Sequence, residues 1–311
     1  MPHSIPGIHH VTAIAGDPQQ NLDFYTGILG LRLVKLTINF DDPGTYHLYY
    51  GNENGTPGTI LTFFPWPGAP RGRHGTGQAT VVSFAIPAGS VKFWVERLQA
   101  SQIRVDGPFP RFDEQVLAFA DPDGLQLELI ETATGFEPWR QGPVPAEHAI
   151  RGFHSVTLTE PGCESTAAFL TGGMGFGKAG EASNRFRYST GAGSTIDLLS
   201  APELRRGMVA VGTVHHVAWR TPDDAEQRAW QHELATRGHD VTAVRDRKYF
   251  HSIYFNEPGG VLFEIATDPP GLTVDEPLDE LGRRLMLPPW LEPQRTRIEG
   301  ALPRLKLPLA G

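Results

Sequence analysis

An internal repeat constrains the fold of this chain more than any other feature of its 311 residues. Two segments open alike: GIHHVTAIAGDPQQNLDFYTGILG begins at Gly7, and GTVHHVAWRTPDDAEQRAWQHELATRG begins at Gly212. They also close alike, with TPGTILTFF ending at Phe64 and EPGGVLFEIAT ending at Thr267. Each segment is typical of a strand, a helix and then several strands. The repeat therefore predicts one structural unit that occurs at least twice.

Two fainter copies of the same unit lie between these segments. The second runs from Thr80 (TVVSFAIPAGSVKFWVERLQ) to DPDGLQLELIE, and the third runs from Gly152 (GFHSVTLTEPGCESTAAFL) to GSTIDLLS. The chain thus predicts an α+β fold of four βαβββ modules in tandem. One such module cannot close its sheet or bury both of its faces, so we expect the modules to pair and their strands to form half-open, curved sheets.

Two of the helices have recognisable ends. Asp17 and Thr221 are the predicted N-caps, and each is followed by a proline, Pro18 or Pro222, at the first helical position, where a missing N–H costs nothing. Gly238 suits the end of the second of these helices. The first helix has an apolar stripe at helical spacing, formed by Leu22, Tyr25 and Leu29. We expect amphipathic helices that pack on the sheets.

The length of the chain is about twice that of a typical single domain. A Pro- and Gly-containing stretch from Gly135 to Pro145 separates the two pairs of modules and is the predicted linker. We predict an N-terminal domain over residues 1–140, a C-terminal domain over residues 150–268 and a helical tail over residues 269–311. The tail contains LDELGRRLML and EPQRTRIEGAL, which we expect to form short helices.

Charge and cysteine content exclude several classes of function. The net charge is −8 and no run of Lys or Arg occurs, so we expect no binding to nucleic acid. No uncharged apolar stretch approaches the roughly 18 residues of a membrane span. The lone Cys163 cannot form an internal disulfide, and MPHSIPGIHH lacks the basic start and apolar core of a secretory signal. We expect a cytoplasmic protein that has no membrane partner.

The first strands of the modules contain the histidines that could meet at one site. Modules one and four carry a histidine pair, His9–His10 and His215–His216, whereas module three has His154–Ser155 at the same place. A pseudo-twofold axis between two paired modules would place their first strands opposite each other. Strand alternation allows only one histidine of each pair to face a shared site, and the repeat does not indicate which one.

The last strands of the modules supply the carboxylates. Aligning them on the preceding Pro/Gly turn places Glu264 opposite Glu128. The other two modules have different residues at this register, namely Thr62 or Phe63 in module one and Asp197 or Leu198 in module three. Pairing modules one and two, or three and four, brings only two ligands together. Pairing modules one and four alone supplies two imidazoles, from His10 and His216, and one carboxylate, from Glu264.

Two histidines and one carboxylate are typical of non-haem Fe(II) oxygenases, because this set leaves about three octahedral positions open. Mn(II) fits the same ligands, and the residue types also allow Zn(II). The same-face neighbours of Glu264 are Leu262 and Ala266, so its carboxylate should point into an apolar interior where a metal is the simplest partner. Glu128 is instead predicted to be structural. Three further residues are predicted to belong to the core: Phe93, Trp94 and His154.

Seven segments then resemble one known family: GIHHVTAI, DFYTGILGLRLVKLTINFDDPGTYHLYYG, GTPGTILTFFPWP, RGFHSVTL, SNRFRYST, GTVHHVAW and DRKYFHSIYFNEPGGVLFEIATD. They resemble the hydroquinone-cleaving ring dioxygenases of the vicinal oxygen chelate superfamily, which includes glyoxalases, bleomycin resistance proteins and extradiol dioxygenases. The resemblance extends to about residue 305. It implies the vicinal oxygen chelate fold, with Fe(II) held by His10, His216 and Glu264. It also implies catalytic or substrate-facing roles for four residues: His9, His215, Arg247 and Tyr254.

The resemblance further implies that the substrates are a small aromatic diol, of the hydroquinone or catechol type, and O2. It allows self-association into a homo-oligomer. In such a site His9, His215 or Tyr254 could act as general acid or base, and Arg247 could stabilise a developing anion.

Two alternatives of the same fold stay open. A redox-neutral, glyoxalase-like lyase, isomerase or transferase usually has a fourth protein ligand, where this chain has Thr62 or Phe63. A metal-free protein that binds small molecules would have no reason to keep three ligands in register.

Overall fold

The computed structural model describes residues 5–133, 135–191 and 194–307. The first module consists of β1 (Ile8–Ala15), α1 (Pro18–Asp23), β2 (Arg32–Asn39), β3 (Asp42–Gly51) and β4 (Ile60–Pro65). The second consists of β5 (Gln78–Pro87), α2 (Val91–Ala100), β6 (Val105–Arg111), β7 (Glu114–Ala120) and β8 (Gln126–Thr132).

The second half of the chain repeats this order. The third module consists of β9 (Phe153–Glu160), α3 (Glu164–Gly173), β10 (Gly177–Ala182), β11 (Arg185–Ser189) and β12 (Thr195–Ser200). The fourth consists of β13 (Val214–Thr221), α4 (Asp224–Thr236), β14 (Arg245–Asp246), β15 (Phe250–Asn256) and β16 (Leu262–Pro270). The predicted α+β class and the four tandem βαβββ modules are confirmed.

Two curved sheets of eight strands form the frame of the molecule. Modules four and one build the sheet β14-β15-β16-β13-β1-β4-β3-β2, and modules three and two build the sheet β10-β11-β12-β9-β5-β8-β7-β6. At the centre of each sheet the first strands of two modules pair antiparallel, β1 with β13 and β5 with β9. The predicted pairing of modules one and four is therefore confirmed.

The helices pack on these sheets as the sequence indicates, with one correction. Asp17 is the N-cap of α1 and accepts a hydrogen bond from the backbone N–H of Gln20, as predicted. Helix α4, in contrast, begins two residues later than predicted, because its N-cap is Asp223 and not Thr221. Leu22, in the predicted apolar stripe, is fully buried. The turn that follows α1 is a π-helix over Phe24–Ile28.

The segment after β16 returns to the first module. It forms three 3₁₀ turns and a last helix, with bounds Leu272–Val274, Leu278–Glu280, Glu292–Gln294 and α5 (Arg295–Ala301). Lys35 of β2 is fully buried and donates to Asp275 at 2.7 Å, and it also pairs with Glu276. These ion pairs fix the segment against the first sheet. The proposed division into domains over residues 1–140 and 150–268 and a tail over 269–311 stays a prediction.

No helix within residues 5–133, 135–191 and 194–307 is both long enough and apolar enough to cross a membrane. Residues 135–145, the predicted linker, contain neither helix nor strand. Trp94 is fully buried in the core as predicted, and Phe93 packs against that core while partly exposed.

Candidate metal centre

Three strands of the first sheet bring two histidines and one glutamate together. β1 contributes His10, β13 contributes His216, and β16 contributes Glu264. The antiparallel register of β1 and β13 places His10 beside Ala218, and the parallel register of β13 and β16 places Glu264 beside that same alanine. The three side chains consequently rise from neighbouring positions on one face of the sheet.

The potential ligand atoms of these side chains converge. The two Nε2 atoms of His10 and His216 are 3.3 Å apart. Oε2 of Glu264 lies 3.0 Å from Nε2 of His216 and 3.5 Å from Nε2 of His10. All three side chains are buried, with at most 5% of their surface exposed. They are the one group of at least three such residues with converging ligand atoms in the described part of the chain.

The state of Glu264 fits a bound cation. Its Oε1 accepts a hydrogen bond of 2.5 Å from Ser252, whereas its buried Oε2 has no hydrogen-bond partner of good geometry among the described residues. Burial alone would raise the pKa of this carboxyl, but His10 and His216 hold it well below the usual value. Burial lowers the pKa of His216, which favours a neutral imidazole with a free lone pair. Two imidazole nitrogens and one carboxylate oxygen are a donor set suited to a divalent metal.

The first histidine of each pair holds the second one. Nδ1 of His9 lies 2.9 Å from Nδ1 of His10, and Nδ1 of His215 lies 2.8 Å from Nδ1 of His216. An imidazole that ligates through Nε2 carries its proton on Nδ1 and donates it to such a neighbour, which fixes its tautomer and orientation. Burial lowers the pKa of His9 well below the usual value and that of His215 to about 3, so both stay neutral acceptors.

Tyr254 and Arg247 lie beside this cluster. Tyr254 on β15 pairs directly with Glu264 on β16. Nε of Arg247 donates to the Tyr254 hydroxyl at 3.2 Å, and Nη2 of the same guanidinium donates to Asp41 at 2.9 Å. Burial raises the pKa of Tyr254, so the phenol keeps its proton. Both residues, which the resemblance implied, thus lie beside the cluster, while Asp41, which orients the guanidinium, was missed.

A cavity of about 400 Å³ opens onto the cluster. Eight of its lining residues are aromatic or imidazole side chains that do not belong to the cluster: Phe40, His47, Tyr49, Phe64, Trp66, His215, Phe250 and Tyr254. His215 also lines the cavity, whereas His9 does not. His47 and Tyr49 escaped the sequence analysis, and their alternation with Leu48 was the one signal that they share a face of β3.

The second sheet contains the equivalent position, but its carboxylate is paired with an arginine. Glu128 accepts two hydrogen bonds from Arg111, at 2.6 and 2.7 Å, and a third from Ser83 at 2.8 Å. His154 is buried and lies 2.7 Å from Glu114 through Nε2, with Ser155 at its other ring nitrogen. Arginine thus neutralises the carboxylate where a metal could otherwise bind, which agrees with the structural role predicted for Glu128.

Comparison with known proteins shows the family to which the chain belongs. The model of the Glyoxalase/Bleomycin resistance protein/Dioxygenase superfamily matches residues 7–129 and 152–265. The chain belongs to this superfamily, as its motifs predicted. Glyoxalase I from Zea mays has the same fold, with a TM-score of 0.62, 17% identity, and 84% of this chain and 92% of that one covered.

More similar relatives are named as dioxygenases. The protein named "Putative ring-cleaving dioxygenase MhqO" of Bacillus subtilis is 50% identical over 301 residues, 96% of each chain. The chlorohydroquinone/hydroquinone 1,2-dioxygenase of Sphingobium indicum is 38% identical over 303 residues, 94% of each chain. A crystal structure described as a "putative dioxygenase" from Bacillus subtilis superposes with a TM-score of 0.95 at 48% identity, covering 98% of this chain and 99% of that one.

Proposed function

We propose that this protein is an Fe(II)-dependent dioxygenase that cleaves the ring of a hydroquinone- or catechol-type aromatic diol with O2. One observation carries the proposal: two imidazoles and one carboxylate converge beside a cavity with aromatic walls. The names of two relatives support the same activity, since one is named as a ring-cleaving dioxygenase and the other as a hydroquinone dioxygenase.

Three side chains would hold the metal, through Nε2 of His10, Nε2 of His216 and Oε2 of Glu264. Such a set leaves about three octahedral positions for the diol and O2. Bound Fe(II) would supply electrons to O2 and keep the two reactants in contact. Mn(II) suits the same ligands, whereas Zn(II) suits them but cannot change its oxidation state.

Tyr254 and Arg247 are proposed to manage charge on the substrate. The Tyr254 hydroxyl accepts from Arg247 and can donate its own proton towards an oxygen of the diol. The guanidinium, held in place by Asp41, stabilises negative charge that develops on that oxygen or on the phenol. Because Tyr254 is the direct neighbour of Glu264 on the sheet, its hydroxyl acts next to the metal position.

His9 and His215 are proposed to act through the ligand histidines. Each accepts the Nδ1 proton of the following histidine and so keeps the Nε2 lone pair directed at the metal. His215 also lines the cavity and is the candidate of the two for a direct contact with the diol.

The aromatic walls suit the proposed substrate. Phe64, Trp66 and Phe250 surround the approach to the cluster with apolar surface. A flat ring can pack on these side chains, and its binding displaces water from the site. With less water present, the interactions of the charged groups with the substrate become stronger.

The test is O2 uptake after anaerobic reconstitution with Fe(II), with a panel of hydroquinones and catechols. Breaking one ring C–C bond next to a hydroxyl-bearing carbon, with both atoms of O2 retained, requires one O2 per diol. We expect this stoichiometry and, with ¹⁸O2, two labelled oxygens in the initial ring-opened product. Zn(II)-loaded protein is the matched control and should consume no O2. Metal binding without uptake for any diol would contradict the proposal and favour a redox-neutral lyase, isomerase or transferase.

A further inference from the structure

Modules one and four differ at one position of the metal site. We call it the fourth position: the place in module one that corresponds to Glu264 in module four. In module four Glu264 lies beside Ala218, and in module one Thr62 lies beside Thr12. Ala218 follows His216 by two residues, and Thr12 follows His10 by two residues. Thr62, and not Phe63, is therefore the pseudo-twofold equivalent of the ligand Glu264.

The neighbouring strands repeat the same correspondence. Tyr254 pairs with Glu264 across β15 and β16, and Tyr49 pairs with Thr62 across β3 and β4. Both tyrosines line the cavity. The match of two tyrosines fixes the alignment of β3 with β15 residue by residue.

This alignment makes His47 the equivalent of Ser252. Oγ of Ser252 donates to Oε1 of Glu264 at 2.5 Å and so supports the ligand. Nε2 of His47 lies 2.8 Å from the Thr62 hydroxyl, and Nδ1 of His47 lies 3.0 Å from the Tyr49 hydroxyl. The small donor that supports a carboxylate in module four is thus replaced by a bulky imidazole in module one.

The Thr62 hydroxyl is fully engaged in this arrangement. Besides its contact with His47, it lies 2.8 Å from the hydroxyl of Thr12, and Thr62 is completely buried. His47, in contrast, reaches the surface of the cavity. The imidazole therefore lies between the fourth position and the open space.

We propose that His47 keeps the fourth position of the metal site free for an exogenous ligand, by binding the Thr62 hydroxyl and filling the volume that a fourth protein ligand would need. The inference rests on the proposed function in that the other three positions hold a metal. His47 acts here as a positioning residue, and the exogenous ligand it makes room for is an oxygen of the diol or O2.

The test gives module one the residues that module four has at these two places. The double variant Thr62→Glu/His47→Ser restores a carboxylate together with its serine donor, and the two single variants are its matched controls. Zn(II) affinity is measured for all four proteins by competition with a chromophoric chelator, after circular dichroism has confirmed folding. Because a supporting donor is worth about 10- to 100-fold in metal affinity, we expect the double variant to bind Zn(II) at least about tenfold more tightly than Thr62→Glu or the wild type.

Three outcomes would overturn the inference. In the first, Thr62→Glu alone binds as tightly as the double variant, which would show that His47 does not control the position. In the second, the double variant stays within about threefold of a metal-binding wild type, and so does its shorter form Thr62→Asp/His47→Ser, which serves if the first does not fold. A wild type that binds no metal would instead refute the proposed function, and the inference with it.

Discussion

Glu264 and Glu128 occupy the same register in modules four and two but contact different kinds of side chain. Glu264 faces His10 and His216 and retains one oxygen without a hydrogen bond among the described residues, whereas Glu128 is neutralised by Arg111 and accepts a further hydrogen bond from Ser83. A buried carboxylate is costly unless it is paired, so each site must supply a positive charge. In the second sheet a guanidinium supplies it, and in the first sheet we propose that a metal does.

Replacing either glutamate by alanine separates the two roles. Glu264→Ala should abolish retention of Fe(II) because it removes the anionic ligand, and His10→Ala and His216→Ala should do the same. Glu128→Ala is the matched control and should retain one metal per chain, although its unpaired Arg111 should lower stability by about 3 kcal/mol. Metal content after desalting under anaerobic conditions is the measurement. Loss of metal in Glu128→Ala, with retention in Glu264→Ala, would contradict the assignment.

Tyr254→Phe tests the proposed proton donor. The variant keeps the ring but loses the hydroxyl that Arg247 contacts, so kcat should fall by about 10²- to 10⁴-fold. Metal content should not change, because the hydroxyl is not a ligand. Tyr50→Phe removes a hydroxyl that donates to Asn21 in the core and is the control; it should cost about 1 kcal/mol of stability and leave kcat within about twofold. A Tyr254→Phe enzyme with unchanged kcat would remove this residue from the mechanism.

The candidate ligands of the site could be predicted from the sequence, but most of the cavity wall could not. Histidine pairs recur at matched places in modules one and four, Glu264 lies in register with them, and the family resemblance indicated the second histidine of each pair, His10 and His216. His47 occurs once, in a strand where alternating aromatic residues equally predict core. Asp41 lies in a hairpin turn, and only the folded structure brings it within 2.9 Å of Arg247. Single residues without a repeated partner carry little signal in one sequence.

At the scale of elements, the start of α4 shows how a strand can displace a predicted cap. Thr221 followed by Pro222 resembles an N-cap and a first helical residue, but Thr221 is still paired with Thr267 in the sheet. The chain leaves β13 only after this pair, so Asp223 becomes the first residue able to cap. Its carboxylate accepts from the N–H of Glu226 at 2.9 Å. Local preference permitted both caps, and the sheet register decided between them.

The two candidate caps should respond differently to substitution. Asp223→Ala removes the acceptor for an exposed helix N–H and should lower the free energy of unfolding by about 1 kcal/mol. Thr221→Val keeps the shape of a buried side chain whose hydroxyl has no hydrogen-bond partner among the described residues, so its effect should be near zero. Urea denaturation of both variants is the measurement. A larger loss for Thr221→Val would restore Thr221 as the cap.

At the scale of the whole molecule, the pairing of first with fourth and second with third modules determines where chemistry can occur. The candidate metal site combines residues from both ends of the chain, because β1 and β13 are neighbours at the centre of one sheet. The number of ligands in each pairing was enough to predict this arrangement. It could not indicate that Arg111 pairs with Glu128 in the second sheet, since a charged residue on β6 equally suits a solvated face.

Glu160 links two modules and should make stability depend on pH. This carboxyl is buried at the end of β9, close against Gly259 of module four, and burial together with Glu257 raises its pKa to about 8. The folded protein therefore holds a proton that the unfolded chain releases near its usual pKa of 4.5. Stability from this group is fully present below the unfolded pKa and is lost as pH rises towards the folded pKa.

We accordingly expect the free energy of unfolding to fall by up to about 1.4 kcal/mol per pH unit between these two pKa values. Glu160→Gln should lose this slope, because the amide does not titrate. Glu164→Gln, at an exposed position four residues along the chain, is the control and should keep it. Urea denaturation at several pH values between 5 and 8 measures the effect, and equal slopes in the wild type and Glu160→Gln would refute it.

An anomalous difference map, recorded at the iron absorption edge from crystals grown anaerobically with Fe(II), tests directly whether His10, His216 and Glu264 hold a metal. We predict one peak per chain, at about 2 Å from Nε2 of His10, Nε2 of His216 and a carboxylate oxygen of Glu264. A peak beside Glu128 in the second sheet, or no peak at His10, His216 and Glu264 in iron-loaded crystals, would contradict the assignment of these three residues as the metal ligands.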